Sequence, residues 1–354
     1  MNLPALRVIL LWLLLPNAGW AFAPSSNIER LEIEGRTVLL YVPAGYKPQN
    51  KYPLLIVNDG QTCFGPGYQS LELDKLVDSL IAAKAVSPFF IAAVYSNEQR
   101  MDDYIPYQDS SIFNDFGYYQ PRANDYTTFL LRSVIPAVAG KYSLDGKTGI
   151  AGFSFGGLHA AWAALHYPQS FSFAAAFSPS MWVADYKIFT EANIAQAQQT
   201  YYLDIGTAEW NYYIPFIKNS NLTLGKNIFY YEVKDAAHSI YYVKQRAVNA
   251  LYLFAGKMEN KRYTLDIETE VIKSQAQPGR YYLRLNPVAD YGNGLRFSLT
   301  FSASFSVNDE EIGTVNSDGS FVFKKPGTMV VTVGYNGKEK KVRLRHEDIE
   351  RMKR

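Results

Sequence analysis

Short apolar runs recur along residues 28–256, and most are bounded by Pro, Gly or Asp. Continuous apolar runs of this length are typical of strands that are buried on both faces of a parallel sheet. The segments that fit this pattern are predicted as strands: Ile28–Ile33, Thr37–Val42, Leu54–Asn58, Phe89–Val94, Thr148–Ala151, Phe173–Phe177, Tyr201–Ile205 and Ile228–Val233.

Amphipathic stretches of helical length separate most of these runs. The predicted helices are Leu71–Lys84, Asp125–Lys141, Gly156–His166 and Ile240–Ala255. Alternation of strands and helices predicts an α/β fold with a mostly parallel sheet. No helix separates the first two strands, so we expect them to form a hairpin at one edge of the sheet.

The pattern changes after Gly256. A polar linker, Glu259–Arg262, leads into short alternating runs without a useful helical period, and turn signals such as Asn336-Gly337 separate the runs. The predicted strands are Tyr263–Ile267, Tyr281–Leu285, Leu295–Phe301, Phe321–Phe323, Met329–Tyr335 and Lys340–Leu344. We therefore predict an α/β domain over residues 24–258 and a small all-β sandwich with a basic tail over residues 259–354.

The first 23 residues have the pattern of a secretory signal peptide. Arg7 precedes the apolar run Val8–Leu15, and small residues follow up to Ala23. The apolar run is too short to span a bilayer. We expect an exported protein, periplasmic or secreted, that has no stable membrane insertion after cleavage.

Charge and composition exclude several classes of function. The chain has 354 residues, and its 35 Lys and Arg less its 33 Asp and Glu give a net charge of +2. The basic excess lies in the tail Lys338–Arg354 and not in a stripe on the body, which argues against a nucleic-acid partner. Cys63 is the sole cysteine, and none of the four histidines forms a His-x-x-x-His pair. We predict no disulfide within the chain, no metal and no organic cofactor.

A G-x-S-x-G motif, Gly152–Gly156, follows a predicted strand and opens a predicted helix. This context is the one that a nucleophile elbow requires, with Ser154 on a tight turn. The hydroxyl group of Ser154 needs a base, and in this arrangement the acid and then the histidine follow the serine along the chain. His159 and His166 lie on the helix after the elbow and His346 lies in the tail, which leaves His238 as the base.

The acid that orients His238 should follow the strand Tyr201–Ile205. Glu209 lies in the next loop and is favoured over Asp204, which is still inside the strand, and over Asp235. An oxyanion hole needs two donors. We predict the backbone amides of Phe155 and Gln61.

Several collinear motifs resemble the bacterial esterase family that includes esterase D, the enterochelin and salmochelin esterases, and some feruloyl and acetyl-xylan esterases. The resembling segments are Tyr52–Gln61, Arg100 with Asp103–Pro106, Ile150–Gly157, Phe177–Trp182, Asp204–Glu209 and Ala237–Ser239. The resemblance implies a doubly wound α/β-hydrolase fold and a serine esterase mechanism, and it supports Glu209 as the acid. The stretch Gly313–Leu344 also resembles part of bacterial immunoglobulin-like domains.

Aromatic residues are predicted at the mouth of the site, and Trp182, Trp210 and Tyr241 are the candidate substrate-binding residues. Such a rim suits aryl or sugar rings, so the expected partner is a small-molecule or glycan ester: a siderophore, a feruloyl ester or an acetylated sugar. We expect Arg100 to pair with Asp102 or Asp103. The alternatives to a hydrolase are an acyltransferase on the same fold and a non-catalytic binding or adhesion protein. The sequence specifies no oligomeric state.

Overall fold

The computed structural model describes residues 28–191, 199–209, 227–257, 262–273 and 280–353. Three of the predictions fall outside these ranges. They concern the signal peptide, the domain boundary at residues 258–259 and Trp210.

An eight-stranded sheet forms the centre of the first 257 residues. Its strands are β1 Ile28–Ile33, β2 Arg36–Tyr41, β3 Tyr52–Asn58, β4 Phe90–Val94, β5 Leu144–Phe153, β6 Phe173–Phe177, β7 Thr200–Gly206 and β8 Ile228–Val233. They lie in the order β1-β2-β4-β3-β5-β6-β7-β8. The hairpin β1–β2 is antiparallel and lies at the edge, β2 is antiparallel to β4, and the remaining pairs are parallel. The predicted α/β fold and the edge hairpin are confirmed.

Helices cover both faces of this sheet. They are α1 Leu73–Ala82, α2 Arg100–Tyr104, α3 Ser110–Phe116, α4 Ala123–Phe129, α5 Ile135–Ala139, α6 Phe155–His166, α7 Val183–Tyr186 and α8 Ile240–Ala255. Successive strand residues contribute to opposite cores, as the pleat of a strand requires. Leu54 packs with Leu158 of α6, while Leu55 packs with Leu251 of α8.

The predicted helix Asp125–Lys141 is interrupted. A π-helical turn, Leu130–Val134, separates α4 from α5, and the amide of Ile135 bonds to the carbonyl oxygen of Leu130. Pro136 has no N–H group and its ring crowds the preceding turn. The wider turn accommodates the proline without ending the helical path.

Antiparallel strands build the C-terminal part. They are β9 Thr264–Lys273, β10 Tyr281–Asp290, β11 Arg296–Ser298, β12 Ser304–Val307, β13 Gly313–Val315, β14 Phe321–Phe323, β15 Thr328–Tyr335 and β16 Lys338–Arg345, followed by the helix α9 His346–Met352. Within the described ranges the sheets are β11-β10-β9, β12-β15-β16 and β13-β14. Predicted all-β character is confirmed, whereas α9 falls in a segment that was predicted only as a basic tail.

The C-terminal strands pack directly on the α/β part. Val288, Leu295 and Phe297 belong to the same buried cluster as Leu251 of α8. A buried ion pair crosses the same boundary, with 2.8 Å between Arg284 Nη1 on β10 and Glu232 Oε1 on β8. The contact is therefore both apolar and ionic.

Candidate active site

Ser154 occupies the sharp turn between β5 and α6. Its φ of 60° and ψ of −122° are strained for a residue with a side chain. A Cβ atom at Gly152 would lie 2.2 Å from the carbonyl oxygen of Gly156, so only glycine permits this close approach of strand and helix. The turn holds the Ser154 hydroxyl group at the carboxyl edge of the sheet, as the motif predicts.

The structure brings Ser154, His238 and Glu209 together. His238 Nε2 lies 3.1 Å from Ser154 Oγ, and His238 Nδ1 lies 2.7 Å from Glu209 Oε2. The imidazole ring also packs on Phe153, with 4.5 Å between ring centroids. A serine, a histidine and a carboxylate are thus hydrogen-bonded in a row.

Glu209 is buried and its second oxygen is also bonded. Oε1 accepts hydrogen bonds from the Ser178 hydroxyl group at 2.6 Å and from the amide of Gly206 at 2.7 Å. These donors leave Oε2 directed at His238. They also compensate for the loss of water around a buried carboxylate.

The two alternative acids lie elsewhere. Asp204 is buried and pairs with Arg246, with 2.7 Å between Asp204 Oδ2 and Arg246 Nε. Burial raises the pKa of Asp204, and the guanidinium group opposes that rise. The amide of Asp235 donates to Thr207 Oγ1 in the loop beside the site. The hydrogen bond to the His238 ring is made by Glu209.

A second serine lies beside Ser154. Ser180 Oγ is 3.3 Å from Ser154 Oγ, and the amide of Ser180 donates to the carbonyl oxygen of Ser154 at 3.1 Å. The amide of Ser154 in turn donates to the carbonyl oxygen of Phe177 at 3.0 Å. The end of β6 therefore fixes the turn that carries Ser154. Ser180 lies in the motif segment Phe177–Trp182, but the sequence predicts no role for it.

The loop after β3 packs closely against β4. A Cβ atom at Gly60 would lie 2.4 Å from the Ala93 carbonyl group, and Asp59 adopts a left-handed conformation with a φ of 57°. The side chain of Gln61 bonds to Ser96 at 2.7 Å, so it points away from the loop while its backbone belongs to the turn. Phe155, the other predicted donor, is the first residue of α6, where N–H groups carry the positive end of the helix dipole.

The sequence predicted that Arg100 pairs with Asp102 or Asp103. This prediction is wrong, because Arg100 pairs with Asp59. Both carboxylate oxygens of Asp59 take part, at 2.7 and 2.8 Å. The pairing is possible because α2 packs beside the loop that follows β3, a contact that sequence proximity does not reveal. It fixes Asp59, whose Oδ2 would lie 3.1 Å from a Cβ atom at Gly156.

His159 has a role that the sequence analysis missed. It is fully buried, its Nδ1 accepts a hydrogen bond from Asn58 Nδ2 at 3.1 Å, and its Nε2 lies 3.0 Å from Thr127 Oγ1. Asn58 Nδ2 also donates to the carbonyl oxygen of Gly156 at 2.9 Å. Burial lowers the pKa of His159 to about 3. A neutral imidazole therefore joins the end of β3 to α6.

Two of the three candidate substrate-binding residues, Trp182 and Tyr241, lie in the described ranges. Trp182 lies near Phe155, with 6.1 Å between ring centroids, and Tyr241 is 45% exposed. Tyr241 stacks on Tyr68, which is 70% exposed and which the sequence analysis did not single out. The centroids of the two rings are 5.7 Å apart at an interplanar angle of 16°. Trp210 lies outside the described residues.

The described residues contain no group of three or more His, Cys, Asp or Glu side chains that is arranged to hold a metal ion. None of the helices in the described ranges is long and apolar enough to cross a lipid bilayer.

Residues 31–221 match the model of the family described as "Putative esterase". The chain belongs to this family. The match covers more than half of the chain and contains Ser154 and Glu209, while His238 lies beyond it. Membership of this family supports an activity as an esterase.

A curated relative and a solved structure are also similar to this chain. The uncharacterized protein YbbA of Bacillus subtilis (strain 168) is 25% identical over 151 residues, which cover 42% of this chain and 58% of that protein. The chain therefore matches less than two thirds of this relative's length. A crystal structure of the BES protein from Bacillus cereus has a TM-score of 0.52 at 21% identity and covers 66% of this chain and 98% of its own.

Two further structures share the fold. An enterochelin esterase from Shigella flexneri has a TM-score of 0.50 at 19% identity, covering 65% of this chain and 59% of its own. An IroE-like serine hydrolase from Shewanella oneidensis has a TM-score of 0.50 at 18% identity, covering 64% of this chain and 79% of its own. At these identities the likeness shows the α/β-hydrolase fold.

Proposed function

We propose that this protein is an exported serine esterase that hydrolyses carboxylic esters through an acyl-enzyme on Ser154. The observation that carries the proposal is the hydrogen-bonded row of Ser154, His238 and Glu209, with distances of 3.1 and 2.7 Å. A serine hydroxyl group becomes an effective nucleophile when a base accepts its proton, and a buried carboxylate orients that base. The row supplies both groups.

The reaction has two halves. Ser154 Oγ attacks the ester carbonyl carbon while His238 Nε2 takes the hydroxyl proton. The C–O bond to the alcohol then breaks, and His238 returns the proton to the departing alcohol oxygen. In the second half, water attacks the acyl-enzyme, His238 takes its proton, and Ser154 regains that proton as the carboxylic acid departs.

The protein stabilises the charges that develop during each half. We assign the oxyanion to the backbone amides of Phe155 and Gln61, because the first opens α6 and the second follows the tightly packed Gly60. Glu209 stabilises the imidazolium form of His238 through Oε2. Removal of one such oxyanion donor typically costs about 100- to 1000-fold in kcat.

The proposed substrate is an ester that carries an aryl or sugar ring. Trp182 and the exposed Tyr241 would contact this ring, as would Trp210. Catecholate siderophores, feruloyl esters and acetylated sugars all carry such rings, and one protein of similar fold is named an enterochelin esterase. Residues 1–23 are proposed as the signal peptide, which would place the enzyme in the periplasm or outside the cell.

The deciding experiment is labelling with a fluorophosphonate probe, which reacts with activated serines. We expect the wild type and His166→Ala to be labelled and to hydrolyse p-nitrophenyl acetate, while Ser154→Ala and His238→Ala do neither. His166→Ala is the matched control because His166 lies at the exposed end of α6 and pairs with Glu191. Retention of both activities by folded Ser154→Ala would overturn the proposal. A panel of catecholate, feruloyl and acetyl-sugar esters then identifies the substrate class.

A further inference from the structure

Buried hydrogen bonds continue from Glu209 on the side away from His238. Ser178 donates its hydroxyl proton to Glu209 Oε1 at 2.6 Å. Arg246 of α8 donates from Nη2 to Ser178 Oγ. Ser178 has no exposed surface and Arg246 is 2% exposed, so water does not compete for these bonds.

The chemistry of these groups fixes the direction of each hydrogen bond. A guanidinium group only donates, whereas a serine hydroxyl group has one proton and two lone pairs. Because Arg246 occupies a lone pair of Ser178 Oγ, the Ser178 proton is directed to Glu209. Glu209 Oε1 is thereby held by Ser178 and by the amide of Gly206, and Oε2 is left for the Nδ1–H group of His238.

Arg246 is itself fixed in a closed ring of contacts. Its Nε donates to Asp204 Oδ2 at 2.7 Å, and Asp204 Oδ1 accepts the amide of Ser178 at 2.7 Å. Ser178 is therefore held through its backbone by Asp204 and through its side chain by Arg246. Asp204, which the sequence analysis ranked as an alternative acid, supports the carboxylate that contacts His238.

The C-terminal strands hold the helix that carries Arg246. Asn249 lies about one helical turn after Arg246 and is fully buried. Its Nδ2 donates to the carbonyl oxygen of Arg296 at 2.9 Å, and its Oδ1 accepts the amide of Arg296 at 3.0 Å. One side chain thus pairs with both backbone groups of a residue in β11, which sets the position of α8 against that strand.

We infer that Arg246 is a positioning residue that acts on Glu209 through the hydroxyl group of Ser178, and that Asn249 and β11 hold Arg246 in place for this task. This inference rests on the proposed function of Ser154, His238 and Glu209. The C-terminal β part would then contribute to the alignment of the active site.

Steady-state hydrolysis of p-nitrophenyl acetate by the full chain tests the inference. We expect Ser178→Ala to lower kcat about tenfold, since it removes a hydrogen bond to a charged group. Arg246→Lys keeps the charge but replaces the two donor nitrogens of the planar guanidinium group, Nε and Nη2, by a single ammonium nitrogen, and we expect a similar loss. KM should stay unchanged, because none of these side chains is proposed to contact substrate. Asn249→Ala should also lower kcat.

Two matched controls separate positioning from general loss of stability. Ser172→Ala changes a serine at the opposite end of β6, and Arg36→Lys changes a largely buried arginine of β2 that pairs with the carboxylate of Asp103. Both should keep the wild-type kcat.

NMR spectroscopy can follow the hydrogen bond between His238 and Glu209 directly. A histidine N–H group that is bonded to a carboxylate gives a far-downfield proton resonance in NMR spectra. We expect this resonance of His238 to shift or broaden in Ser178→Ala and Arg246→Lys and to persist in both controls.

The outcomes distinguish this inference from the proposed function. If Ser154→Ala is inactive while folded Ser178→Ala and Arg246→Lys match their controls in kcat and in the His238 resonance, the inference is wrong and the proposed function stands. If only Asn249→Ala matches the wild type, the part assigned to β11 is wrong. If Ser154→Ala remains active, the proposed function fails, whatever the other variants do.

Discussion

Neighbouring groups give Glu209 and Asp204 different environments, although both are buried carboxylates near one arginine. Glu209 faces the His238 ring with Oε2 and accepts two neutral donors with Oε1. Asp204 faces the guanidinium group of Arg246 directly. Arg246 Nη2 also lies 3.8 Å from Glu209 Oε1, but the hydrogen bonds of Glu209 are made with two neutral donors and the His238 ring. The shorter ion pair of Asp204 therefore compensates its charge more strongly than that of Glu209.

This difference predicts unequal effects on catalysis. Glu209→Gln should lower kcat by about 10,000-fold, because an amide no longer holds the imidazole in the correct tautomer. Asp204→Asn should lower kcat less and should cost mainly folding stability, because it removes the nearest carboxylate partner of the buried Arg246. Ester hydrolysis and urea unfolding of both variants measure the two effects. A larger fall in kcat for Asp204→Asn than for Glu209→Gln would reverse the assignment.

His159 predicts a dependence of stability on pH. Its pKa is about 3 in the folded protein, because it is buried, and its ordinary value is 6.5. Between these values the unfolded chain binds a proton that the folded chain does not, so this group's stabilisation is present above pH 6.5 and is lost as the pH falls towards 3. From pH 7.5 to pH 5 the loss from this group is about 2 kcal/mol.

Urea unfolding at pH 7.5 and pH 5 measures this loss. His159→Gln should lose about 2 kcal/mol less than the wild type over the same interval. An equal loss in both proteins would contradict the prediction.

At the scale of elements, two turns at the carboxyl edge of the sheet bring the candidate site together. The turn at Ser154 requires close contact between β5 and α6, and the turn at Gly60 requires close contact with β4. Both contacts are made by backbone atoms, so a methyl group cannot be accommodated by rotating a neighbouring side chain.

Gly152→Ala should therefore destabilise the fold by about 3 kcal/mol and lower activity in the folded fraction, because α6 must move away from β5. Gly140→Ala is the control, since its nearest neighbour would lie 3.4 Å away and its φ of −69° suits any residue. Thermal unfolding and esterase assays compare the two. Equal melting temperatures would show that the elbow tolerates a side chain.

The elements could be predicted from the sequence because their signals are local. Apolar runs and the G-x-S-x-G motif located the central strands and the turn at Ser154, and the order of the chain selected His238. Arg100 was assigned the wrong partner because its pairing depends on how α2 packs against a distant loop. The interruption at Leu130–Val134 and the hydrogen bonds of His159 were missed for the same reason, since apolar period and residue type do not specify tertiary contacts.

At the scale of the whole molecule, the shared cluster around Phe297 joins the C-terminal strands to the central sheet. The rings of Phe297 and Phe229 lie 5.3 Å apart, and Phe297 also lies near Tyr202 of β7. Separation of the two parts would expose this apolar cluster to water and would break the buried ion pair of Arg284 and Glu232. Both changes cost free energy, so the two parts stabilise each other.

We therefore expect one cooperative unfolding transition for the whole chain. Trp12 and Trp20 lie in the proposed signal peptide and the other three tryptophans lie in the α/β part, so tryptophan fluorescence has no reporter in the C-terminal part. Phe297→Ala, although in the C-terminal part, should lower the free energy of unfolding measured by tryptophan fluorescence by about 3 kcal/mol. The exposed Val322→Ala is the control. An unchanged fluorescence transition in Phe297→Ala would show that the two parts unfold independently.

The contact between Asn249 and Arg296 also bears on when activity appears during refolding. The contacts between Ser154 and β11 join residues that are 29 to 84 positions apart, and contacts of such range form late because closing long loops costs entropy. Far-ultraviolet circular dichroism should recover before esterase activity in a refolding time course. Until β11 docks, a newly made chain would have most of its helices and strands and only a poorly aligned nucleophile.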